Sequence, residues 1–105
     1  MELGDNCLAA ACAALEPYSW RRLTPEMIVR RVLGAVDLSR GQGTGSPVPL
    51  EDRRVEALVG VVTAMQWRAL TARGLCRRLL VALDDWYVRD RCLDLELAWL
   101  LEEGA

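Results

Sequence analysis

Residues 51–101 read EDRRVEALVGVVTAMQWRALTARGLCRRLLVALDDWYVRDRCLDLELAWLL. No proline occurs in this stretch or after it, so nothing there forces a helix to stop. Its apolar residues recur at helical spacing. Val55, Leu58, Val59, Val62 and Met65 mark one helix, opened by Glu51 and Asp52 at its positive end. Ala72, Leu75, Leu79, Leu83 and Trp86 mark a second, which places Trp86 in the core. Leu93, Leu97, Leu100 and Leu101 mark a last helix from about Asp90 to Glu103.

Upstream the periods are also helical. Leu8, Ala11, Cys12 and Leu15 form one stripe over about Gly4 to Glu16, with Asp5 placed to cap it and Pro17 to end it. Thr24-Pro25-Glu26 is a start signal: a capping hydroxyl, a proline at the first helical position and an acid beside the dipole. Ile28, Val29, Val32, Leu33 and Val36 follow as the buried face, with Glu26 and Arg30 paired on the wet side. Residues 39–49, SRGQGTGSPVP, resist both helix and strand. The expectation is an all-α fold, a small bundle of about five helices. An N-terminal helical pair (1–38), a Gly/Pro linker loop (39–49) and a C-terminal three-helix unit (50–105) would pack as one compact domain. At this level no internal repeat stands out.

Composition limits the function. Every one of the 13 basic residues is Arg; Lys, His and Phe are absent. This bias fits a GC-rich bacterial or phage genome. Without His or Lys the usual activated Ser, Cys and Schiff-base arrangements are missing, so no enzyme is expected. Asp84 and Asp85 are adjacent on a helix and point apart, which is poor geometry for sharing a proton. Asp90, Asp94 and Glu96 do not fit a calcium loop. Cys7, Cys12, Cys76 and Cys92 make no C-x-x-C pair and read as reduced thiols filling space, so neither metal nor other cofactor is expected. The glycines near Arg40 lack the Lys and following helix of a phosphate loop. No signal peptide or membrane span is apparent, which points to the cytoplasm.

Two features suggest partners instead. Arg68, Arg73, Arg77 and Arg78 cluster in and just before the second helix of the quoted stretch. Arg73 and Arg77 are one turn apart and repel, so the cluster calls for an anion or an acidic surface. Residues 79–105 carry seven acids against two Arg, so the chain itself, or a second copy, can supply that surface. On the last helix Cys92, Leu95 and Trp99 form a second apolar stripe, opposite Leu93, Leu97 and Leu101. A helix apolar on two sides is central or at an interface, and for this one an interface is expected, a homodimer being the simplest.

The segment Arg77–Leu101 also resembles a known family. Arg-Arg-x-Leu, then Trp86-Tyr87-Val88-Arg89, then Glu96-Leu97-Ala98-x-x-Leu101 is similar to the helix-turn-helix of sigma-factor region 4 and of phage Q-type antitermination proteins, and EDRRVEALVGVVTAM resembles the helix before it. The resemblance implies a transcription-linked regulator. The recognition helix that enters the major groove in that family would follow Leu101, and it is missing before Gly104-Ala105. The reading is therefore a non-enzymatic helical interaction module, a bacterial or phage-encoded regulator or inhibitor that binds another protein, such as the transcription machinery. The alternative is a nucleic-acid-binding transcription regulator using the arginine cluster.

Overall fold

Apolar periods and caps place the helices largely where expected in the computed structural model, which describes the backbone of residues 3–17 and 19–104 and the side chains of residues 6–17 and 19–90. Four α-helices are present: α1 (Leu3–Leu15), α2 (Pro25–Ser39), α3 (Arg53–Thr63) and α4 (Ala72–Gly104). Short 3₁₀ turns at Trp20–Arg22 and Trp67–Ala69 join α1 to α2 and α3 to α4. Among the described residues there is no strand. No helix among them is long and apolar enough to cross a membrane.

Local chemistry explains the boundaries. Thr24 accepts a bond from Met27 N through its hydroxyl and starts α2; Asp52 accepts from Arg54 N and starts α3. The helix count corrects the expected five. The two helices expected from Ala72 onward are one, 33 residues long and about 50 Å from end to end. Asp90 is interior to it, because no glycine or proline separates Leu75 from Glu103.

The buried core follows the predicted stripes of α1 and α2, takes Val55, Leu58 and Val62 from that of α3 and Leu75, Leu79 and Leu83 from the next, with Val59, Met65 and Ala72 only partly buried, includes the space-filling Cys7 and Cys76, and adds Trp20, Val48 and Trp67. Trp86 departs from expectation. It is only half-buried, edge-on to Tyr87 and beneath the Arg53 guanidinium at 5.6 Å. Arg30 departs as well: its Nε donates to the carbonyl of Val48 at 2.7 Å, so it holds the linker instead of lying on a wet face.

The largest surprise is an internal repeat. Trp20, Arg21, Leu23, Thr24, Arg30, Arg31 and Leu33 recur, with identical residues, as Trp67, Arg68, Leu70, Thr71, Arg77, Arg78 and Leu80. The separation is 47 residues throughout. Hydrogen bonds recur at the same separation. Thr71 Oγ1 accepts from Gly74 N as Thr24 Oγ1 does from Met27 N. Leu70 N donates to Trp67 O as Leu23 N does to Trp20 O. The α1–α2 and α3–α4 hairpins are thus two copies of one helix–turn–helix unit. Conservative apolar exchanges such as Leu15 for Val62 and Val29 for Cys76 hide the match from a reading of periodicity.

Candidate interaction surface

The units meet at their 3₁₀ turns. Arg21 Nε donates to the Arg68 carbonyl at 2.9 Å, and Arg68 Nε donates back to the Arg21 carbonyl at 3.1 Å. Reciprocal bonding of this kind marks a two-fold relation. Trp20 and Trp67 face each other with centroids 6.1 Å apart, each under its own arginine at 4.4 and 4.3 Å. Both tryptophans are buried, so each turn is an anchor that registers one unit on the other. Arg68, expected in an anion-binding cluster, is placed here against a carbonyl and a ring.

A second junction ties three helices together. The Arg54 guanidinium grips both carboxylate oxygens of Asp37 at 2.8 Å, both of Asp52 at 2.9 and 2.7 Å, and the Tyr87 hydroxyl at 2.8 Å. The bidentate geometry and the shielded position make these strong bonds. Arg54 is held well above the ordinary arginine value by Asp37 and Asp52. Its hydrogen bond to Asp52 holds that carboxyl below its ordinary value.

Surface features separate the units. In the first, the linker folds back antiparallel along α2. Val48 N donates to the Arg30 carbonyl, Val48 is buried, and Ser46 lies so close to α2 that a Cβ on Gly34 would collide with its carbonyl oxygen. Gly45 lies over Leu38. The positions equivalent to Arg30, Gly34 and Leu38 are Arg77, Val81 and Asp85, and among the described residues no segment covers them. They line an open groove of about 720 Å³ between α3 and α4, with Val61, Met65, Leu70, Gly74, Arg78 and Ala82. Val81 is 66% exposed, and Val88, two turns on, 61%.

Of the predicted cluster, the structure brings Arg77 and Arg78 together on this groove and leaves Arg73 exposed on the first turn of α4. Among the described residues none of these three forms an ion pair. No family model matches this chain, and neither does any curated protein or solved structure. The segment carrying the resemblance to sigma region 4, Arg77–Leu101, lies within one uninterrupted helix. Cys92, Leu95 and Trp99, the expected interface residues, lie outside the residues whose side chains are described.

The thiols are spread through the core. Cys7, Cys12 and Cys76 are free and buried. Burial, with Cys12 alongside, pushes the Cys76 thiol up, away from the reactive thiolate. Among the described residues no three Cys, Asp or Glu side chains converge in a way that could hold a metal ion. Sequence reading missed the groove itself, because its walls come from different helices. The signal that could have revealed it is the repeat: Gly-x-Gly-x-Gly follows α2, while Val88-Arg89-Asp90 stands at the matching place in α4.

Proposed function

We propose that this chain is a non-enzymatic helical interaction module, a regulator or inhibitor that acts by binding another protein. The observation that carries this reading is the open α3–α4 groove, lined by an exposed valine and by two arginines that form no ion pair among the described residues. Apolar surface rimmed by charge suits protein recognition. An enzyme is disfavoured because the chain has no His or Lys, the side chains that most often activate a Ser or Cys nucleophile or form a Schiff base. A bacterial or phage origin and a target in the transcription machinery rest on the composition and on the resemblance to sigma region 4. Self-association through Leu95, Trp99 and Cys92 is a compatible further use of α4.

The test is capture from a bacterial lysate by the wild type and by an Arg77→Glu/Arg78→Glu variant of unchanged helicity and melting temperature. A protein retained by the wild type and lost by the variant supports the reading. Identical capture by both removes the groove from consideration.

Arg73, Arg77 and Arg78, which form no ion pair among the described residues, favour one second reading, a nucleic-acid-binding regulator. Phosphate contacts would make affinity for a DNA or RNA duplex fall steeply with salt, with a log–log slope of roughly −0.9 per contact on DNA. Binding that is flat in salt would remove this alternative.

A further inference from the structure

The repeat supplies a template for what the groove holds. In the first unit a segment of this same chain, Gly45-Ser46-Pro47-Val48, lies along α2, and Arg30 clamps it. The Arg30 carbonyl accepts from Val48 N at 3.1 Å, and its Nε donates to Val48 O at 2.7 Å. Arg77 occupies the matching position on α4. Its side chain is exposed and pairs with nothing among the described residues. Where the first chain segment turns back, Gly41, Gly43 and Gly45 all adopt positive φ, between 70° and 88°, which glycine alone takes at no cost. The matching residues of α4 are Val88, Asp90 and Cys92, so α4 continues where α2 ends, and among the described residues no segment lies over the groove.

We propose that the α3–α4 groove receives an extended, proline-bearing apolar segment of a partner protein, laid antiparallel along α4 and clamped by Arg77. This deepens the interaction-module reading and rests on it. Three features define the occupant. It is extended, because the paired donor and acceptor contacts at Arg30 engage a main chain, and a proline fixes that conformation in advance. It is apolar where it crosses Val81, which stands where the first unit has Gly34 and so keeps the occupant's backbone farther out. It carries an acidic residue near Arg78, because Arg77 and Arg78 offer adjacent positive charge, and the one acid lining the groove with them, Asp85, pairs with Arg89.

The probe is a synthetic peptide with the sequence of residues 43–51, GTGSPVPLE, titrated into isotopically labelled full-length protein while amide shifts are followed. The contact area is small, so the wild type is expected to bind weakly, with Kd on the order of 1 mM. The shifts should cluster at Leu70, Gly74, Arg77, Val81 and Asp85. Val81→Gly recreates the close approach found at Gly34 and should tighten binding by about tenfold. Arg77→Ala should remove it. Circular dichroism on each variant shows that it is folded.

Lack of saturable shifts in both the wild type and folded Val81→Gly would overturn the proposal. So would shifts confined to α1 and α2, which would mean displacement of the linker. Shifts that follow protein concentration and not peptide would assign the groove to a second copy, and would also overturn it. If the peptide fails while Arg77→Glu/Arg78→Glu still loses a captured partner, the interaction module stands and only the occupant's chemistry is wrong.

Discussion

The α1–α2 and α3–α4 units share a turn, a cap, an arginine pair and a buried stripe, yet they differ in what covers them. In the first, small residues let the helices close on each other. Ala11 and Ala14 stand where the second has Leu58 and Val61, and α1 packs against α2 more extensively than α3 against α4. Side-chain size at the contact sets the distance between axes. Glycines then end α2 and return the chain over Gly34. In the second, bulkier residues stand at the contact, the two helices touch less extensively and α4 runs on, leaving the same face open among the described residues. One scaffold thus serves twice, once closed by its own linker and once presented outward.

The comparison breaks most sharply at the two-fold junction. Trp67→Ala and Trp20→Ala should each cost about 3–5 kcal/mol in urea unfolding, since each removes a buried ring and leaves a cavity. Near-equal losses would confirm that the tryptophans are structural equivalents. A variant that lost nothing would show that its turn is not an anchor.

The first unit has Cys7 where the second has Arg54, and there Arg40 reaches the equivalent carboxylate, Asp84, through one longer bond of 3.4 Å. Arg54→Ala should lower stability by about 2–3 kcal/mol at neutral pH, because Asp37 and Asp52 are left facing each other without a cation. The pH dependence has a definite sign. Asp52 is depressed in the folded state, so its contribution is present above the unfolded carboxylate value of about 4 and is lost as pH falls through the lower folded value. In Arg54→Ala this part of the acid sensitivity should disappear from the stability–pH curve.

Gly34→Val converts the closed unit toward the open one. The added side chain strikes the Ser46 carbonyl, and the expected cost is about 1–3 kcal/mol, with faster amide exchange at Val48, whose N–H bonds to Arg30. Unchanged protection at Val48 would mean that the linker adapts without leaving α2.

The smallest effect is expected at Cys76, whose counterpart is Val29. Cys76→Val should change stability by less than about 1.5 kcal/mol. In the native wild type this thiol should resist an aromatic disulfide reagent, and all four cysteines should react once the chain is unfolded in denaturant.

The all-helical class was legible because apolar spacing reports which face of a segment is buried, and because Thr24, Asp52 and the glycines after Ser39 act on their own backbone. The same local logic misjudged Trp86 and Arg30. Trp86 sits at a helical period, but among the described residues the buried core reaches no further along α4 than Leu83, and Arg53 covers the ring from another helix. Arg30 faces solvent in any isolated helix, and only the returning linker makes it a clamp.

The sequence by itself determined where helices start, which faces they bury and that no histidine or lysine chemistry is available, since these depend on residue type and short-range spacing. Tertiary structure alone decided that the two copies meet about a two-fold, that Arg68 bonds a distant turn while Arg77 and Arg78 form no ion pair among the described residues, and that among those residues one groove is filled and the other open. Those outcomes depend on which surfaces meet across 47 residues of chain, and a contact of that range is set by packing of the whole molecule, to which no local period has access.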